Sequence, residues 1–184
     1  MSSEGLDSLE AIVHHYIANR RPEKQRELSE FANHGASADD GGLAAVVELA
    51  AKGQNNPHHY RRKEQTLRQV FERLQTRNFA RCDSFDAILQ MLRNAIGDVD
   101  DVGPLFIYDA AIRIGAKLGL RPDKVYLHSG TRKGAVAMGL GRGKATLQTS
   151  ELPHEFHRLE PAEIEDCLRI YRRDLERIRR DLGN

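Results

Sequence analysis

Apolar residues recur at spacings of three and four along most of this chain, and alternating apolar/polar stretches are scarce, so the pattern predicts helices. Leu9, Ile12, Val13 and Tyr16 form the first stripe, which Pro22 punctuates. Leu28, Phe31 and Ala32 predict a short helix ending near Asn33-His34-Gly35, then a loop over residues 37–42 and an apolar stretch over 43–51. After a break at Gly53-Gln54-Asn55-Asn56-Pro57, residues 61–77 put Leu67, Val70, Phe71 and Leu74 on one face and basic residues on the others. Ser84 reads as the N-cap of a helix that buries Phe85, Ile88, Leu89 and Leu92. Pro104 suits the first turn of the next, where Phe106, Ala110, Ile114 and Leu118 share a face until Gly119 and Pro122 stop it. Pro161 opens a last helix whose seam is Ile164, Cys167, Leu168, Tyr171, Leu175, Ile178 and Leu182. The expectation is an all-α fold: a compact multi-helix domain over 1–184, with a possible N-terminal subdomain at 1–60, a core at 85–140 and a C-terminal helix at 161–182.

Charge changes this picture more than composition does. The chain of 184 residues has a net charge of only +1, but that total hides an alternation. Residues 1–50 carry −5, 51–82 carry +6, 83–120 carry −3, 121–150 carry +5 and 151–184 carry −2. The two basic blocks are candidate surfaces for an anionic partner. Two cysteines, Cys82 and Cys167, without C-x-x-C spacing point to a reduced, cytoplasmic protein. No apolar run approaches the roughly 18 residues of a membrane span, so no membrane partner is expected.

Between the two central helices lies Val99-Asp100-Asp101-Val102-Gly103-Pro104, which reads as a tight hairpin. A hairpin of this kind presents the free N–H groups of the second helix's first turn, where positive partial charge collects and a phosphate can bind. Asp101 has a second reading, as a cap that satisfies those same N–H groups through its own carboxylate. Gly103 suits either a tight turn or a close backbone approach.

Helix, hairpin, helix, then Val125-Tyr126-Leu127-His128 resembles the helix-hairpin-helix DNA glycosylase superfamily over about residues 85–140. The family's hairpin runs apolar-Pro-Gly-apolar-Gly; here Asp100 and Asp101 stand at the Pro and first Gly, followed by Val102 and Gly103. Aligning the family's Val-Asp-x-His element on Val125 and His128 puts Tyr126 at the catalytic aspartate, while the lysine of bifunctional members falls on Leu105. Base excision needs a carboxylate, and lyase chemistry needs an amine. The resemblance therefore implies a catalytically degenerate, non-catalytic nucleic-acid-binding protein. Counting residues instead of aligning the element leaves Asp123 as the fallback carboxylate of a residual glycosylase-like enzyme.

The residues assigned to nucleic acid are Gly103, Arg121, Lys124, His128, Arg132, Lys133, Arg142 and Lys144, with Gly130 and Gly134 as points of close backbone approach. Residues 138–145 lack the first glycine and the Ser/Thr that a nucleotide-triphosphate loop requires: Met138 and Ala145 stand there. His58-His59 and His154-Glu155-x-His157 do not have the His-Glu-x-x-His spacing, and no metal or cofactor is expected. The alternative is a protein-interaction module, of adaptor, inhibitor or immunity type, or a homodimer formed through the seam at 161–182.

Overall fold

A computed structural model describes residues 6–34, 46–48, 50 and 64–182. The expected loop at 37–42, the break at 53–57, His58, His59 and the start of the basic helix at 61–63 lie outside the described residues. The fold is all-α: eight α-helices with described bounds, further helical residues at 46–48 and 50, three short 3₁₀ turns and one two-stranded ribbon. No described helix is long and apolar enough to cross a membrane.

The chain divides into two compact units, one made of residues 1–24 with 122–184 and the other of residues 25–121. This grouping separates residues that the sequence reading put together. Residues 1–24 pack with the C-terminal part and not within a stretch 1–60, and the interval 85–140 is split at 121/122. The reason is long-range: the apolar stripe of the first helix is completed by Leu159, Ile164, Leu168 and Tyr171, more than a hundred residues away.

In the first unit, α1 (Leu9–Asn19) starts at Ser8, whose hydroxyl accepts the Ala11 N–H at 3.1 Å. Helix α2 (Arg21–Asn33) begins two residues later with Pro22 inside its first turn, where a missing N–H has no intrahelical partner. Its Arg21 is held bidentate by Glu163 at 2.7 and 2.8 Å.

The second unit holds most of α2, then α3 (Glu64–Leu74), α4 (Phe85–Ile96) and α5 (Pro104–Leu118). Ser84 caps α4 as expected, accepting the Ala87 N–H at 3.3 Å. Ile88, Leu89, Leu92 and Ile96 of α4, with Phe106, Ala110 and Ile114 of α5, are fully buried. Helix α5 ends at Gly119, whose φ of 71° closes the helix in the left-handed region that favours glycine. Arg113, only 3% exposed, is paired with Glu27 at 3.1 Å and lies 5.2 Å above the Phe31 ring.

Back in the first unit, β1 (Val125–Tyr126) pairs antiparallel with β2 (Thr146–Leu147), Val125 opposite Leu147 and Tyr126 opposite Thr146. Between them run α6 (Ser129–Ala137) and a loop in which Gly139, Gly141 and Gly143 all take positive φ. The expected helix at 161–182 is two helices, α7 (Pro161–Ile170) and α8 (Arg172–Leu182), broken at Tyr171. Helix α7 is surrounded: five consecutive residues, Ile164 to Leu168, are buried in it, whereas α8 buries the single stripe of Leu175 and Ile178. A straight helix cannot serve both environments with one face.

Candidate nucleic-acid interface

The first unit holds a helix N-terminus with free backbone donors, that of α6. Strand β1 delivers the chain to His128, an extended residue (φ −75°, ψ 176°) at the N-cap of α6 whose side chain makes no capping bond. The helix then closes with the Arg132 N–H donating to the His128 carbonyl at 2.7 Å. Ser129, Gly130 and Thr131 thus supply N–H groups with no intrahelical acceptor, and no acidic residue lies in that turn. Along the helix, Ser129, Lys133 and Val136 form its exposed stripe.

The predicted basic residues separate by what they touch. Arg132 is structural: Nη1 donates to the Lys144 carbonyl at 2.5 Å and Nη2 to the Leu127 carbonyl at 3.0 Å, tying the glycine loop to the start of α6. Lys144 is ion-paired with Glu151, whose carboxyl it holds below the usual carboxylate range; Glu151 also accepts the Gln148 N–H at 2.8 Å. Lys124 lies 3.6 Å from Asp123 and 5.6 Å from the Tyr126 ring centre. Lys133 and Arg142 are exposed and have no carboxylate partner among the described residues. Asp123 is an exposed ion-pair member, with 79% of its side chain accessible, and lines no desolvated cleft.

Gly130 and Gly134 need a different explanation from the one the sequence suggested. A Cβ on Gly134 would run into the Leu168 carbonyl of α7, and one on Gly130 would come within 3.2 Å of Arg169 Cγ. Both glycines let α6 lie close to α7, so they serve packing and not approach by a phosphate.

Gly103 and Arg121 belong to the other unit. Gly103 is the N-cap of α5, with Pro104 at the next position and no side-chain capping bond. The capping role considered for Asp101 is therefore not what the structure has. Asp101 instead takes φ 65°, a left-handed conformation and the one positive φ among the described non-glycine residues.

The sequence reading missed a buried polar cluster. Thr131 is fully buried and its hydroxyl donates to Glu165, itself 3% exposed. Asp166 accepts the Tyr16 hydroxyl at 3.3 Å and pairs with Arg169, which also lies 3.8 Å from Glu165. Burial, reinforced by Asp166, pushes the Tyr16 phenol far above its ordinary range, so it stays a donor. Burial does the same to the Cys167 thiol, again with Asp166 adding to it. Glu165 and Asp166 fall between Ile164 and Cys167, which on an amphipathic helix reads as the charged face. Their burial follows from α7 being covered on several sides.

The seam offered for a protein partner is also accounted for. Leu175 and Ile178 are 1% and 6% exposed and belong to the core of their own unit, with Tyr171. His157 Nε2 meets the Leu152 carbonyl at 3.1 Å, and among the described residues no three His, Cys, Asp or Glu side chains converge as a metal-holding group. Compared with family models, curated protein sequences and solved structures, the chain matches none.

Proposed function

We propose that this protein is a non-catalytic nucleic-acid-binding protein that engages phosphates at the N-terminus of α6. The observation that carries the reading is where positive charge is left uncompensated. In this unit Arg21, Arg158, Arg169, Arg177 and Lys144 are each paired with a carboxylate. Lys133 and Arg142 are not, and among the described residues neither are Arg179 and Arg180 of α8; Lys133 lies on α6 and Arg142 on the glycine loop that Arg132 ties to that helix, whose N-terminus is uncapped and has no acidic residue in its first turn. Such an end favours a phosphate by about 0.3–1 kcal/mol, and neighbouring cations add to it. Arg132 contributes by fixing the glycine loop beside the helix. The left-handed turn at Asp101 supports the resemblance to a degenerate helix-hairpin-helix glycosylase, in which Tyr126 and Leu105 occupy the positions of the lost catalytic groups. A reducing, cytoplasmic setting suits the two free cysteines.

The test is fluorescence anisotropy of the full chain with labelled oligonucleotides across a salt series. Binding should weaken steeply with salt, and Lys133→Ala and Arg142→Ala should each lower the slope of log affinity against log salt by about 1. No binding at low salt, or an unchanged slope in both variants, would sink the proposal.

A further inference from the structure

At its other end, α6 forms one wall of a shallow groove whose opposite wall is α8. Val136 and Ala137 make the apolar floor; Arg179, Arg180 and Glu176 make the rim. Val136 is 40% exposed, the one large hydrophobic side chain so exposed among the described residues. The two arginines are ordered on carbonyls and not on carboxylates. Arg179 Nη1 lies 3.4 and 3.3 Å from the Val136 and Ala137 carbonyls, and Arg180 Nε is 3.4 Å from the Glu176 carbonyl. Gly139 makes room for the first of these: with φ 78° and no Cβ, it leaves the space that the Arg179 guanidinium fills. Arg179 thereby offsets the negative end of α6 while its own charge has no carboxylate partner among the described residues.

We infer that a single strand of nucleic acid, held at the N-terminus of α6, continues along the exposed stripe of that helix into this groove. This rests on the reading above and extends it. From Ser129 to Val136 the stripe spans about 10 Å, so one strand reaches both ends of it. Arg180 meets a phosphate there, and a base or sugar lies on Val136 with the Arg179 plane beside it. The choice of a single strand follows from the apolar floor: unpaired bases offer faces to such a surface, whereas a duplex keeps them stacked inside. The positive rim opposed by one carboxylate, Glu176, fits an anionic occupant.

The experiment compares labelled dodecathymidylate, dodecauridylate and a twelve-base-pair DNA duplex on the full chain. Arg180→Ala should weaken the single strands about fivefold and lower their salt slope by about 1. Val136→Ser should weaken them without changing the slope, Glu176→Gln should strengthen them, and the duplex should respond to none of the three. Thermal unfolding matched to wild type guards against a folding artefact, since all three side chains are exposed. If Lys133→Ala weakens single strands while Arg180→Ala and Val136→Ser bind like wild type, the groove is idle and the inference falls with the function intact. If the duplex loses affinity equally with the single strands, the single-strand assignment falls. If wild type binds no oligonucleotide at low salt, the functional reading fails and this inference fails with it. A preference between the thymidylate and uridylate strands tells DNA from RNA.

Discussion

Helices α5 and α6 both begin on an extended residue, Gly103 and His128, with no side chain bonded across the first turn. Their surroundings differ. Exposed Asp100 and Asp101 precede α5, in a unit where basic groups such as Arg113 and Arg73 are paired with Glu27 and Asp98. The first turn of α6 has no acidic residue of its own, the Glu165 carboxylate bonded to Thr131 there is buried beside Arg169, and exposed Lys133 and Arg142 have no carboxylate partner among the described residues. Similar backbone geometry is therefore set among unlike side-chain charges. The helix end contributes a fraction of a kcal/mol, about what one neighbouring carboxylate removes, so the side-chain charges decide which end a phosphate prefers.

The same contrast runs through the glycines. Gly103 has open space where a Cβ would stand, whereas Gly134 faces the Leu168 backbone. Gly134→Ala should accordingly destabilise the protein by about 3 kcal/mol, seen as a lower midpoint in urea. Gly103→Ala should stay within about 0.5 kcal/mol of wild type. Equal effects would erase the distinction between a packing glycine and a turn glycine. A smaller loss is expected from Thr131→Val, which keeps the shape of the side chain but removes the hydroxyl donor from buried Glu165. The cost should be about 2 kcal/mol, with Arg169 left as the charge partner, and a neutral result in urea would show that the cluster does not depend on that bond.

The smallest effect tests the hairpin. Asp101→Gly relieves a left-handed aspartate and should stabilise by about 0.5–1 kcal/mol in the same denaturation measurement. It also removes a carboxylate beside the start of α5. A gain in oligonucleotide affinity as large as the loss caused by Lys133→Ala would mean that α5, and not α6, is the principal phosphate site.

Much of the local structure was legible in the residues. Ser84 is an N-cap because a hydroxyl there can take an otherwise orphaned N–H. The helix–turn–helix order around Gly103 followed from the change of apolar phase on either side of a Gly-Pro step. The candidate site was legible only in part. Lys133 and Arg142 are exposed cations of the basic block at 121–150, but Arg132, Lys144, Gly130 and Gly134 have structural occupations that no spacing rule reveals. Their partners, the Lys144 carbonyl, Glu151, Arg169 and Leu168, come together only through folding.

By itself the sequence determined the helical class, the starts of α4, α5 and α7 and the alternation of charged blocks, because caps, prolines and apolar periodicity act over a few residues. Tertiary structure decided that residues 1–24 join 122–184, that Glu165 and Asp166 lie buried, that 161–182 breaks at Tyr171 and which cations remain unpaired. Those outcomes depend on groups far apart in the chain, whose meeting lowers the free energy only once the whole unit has packed.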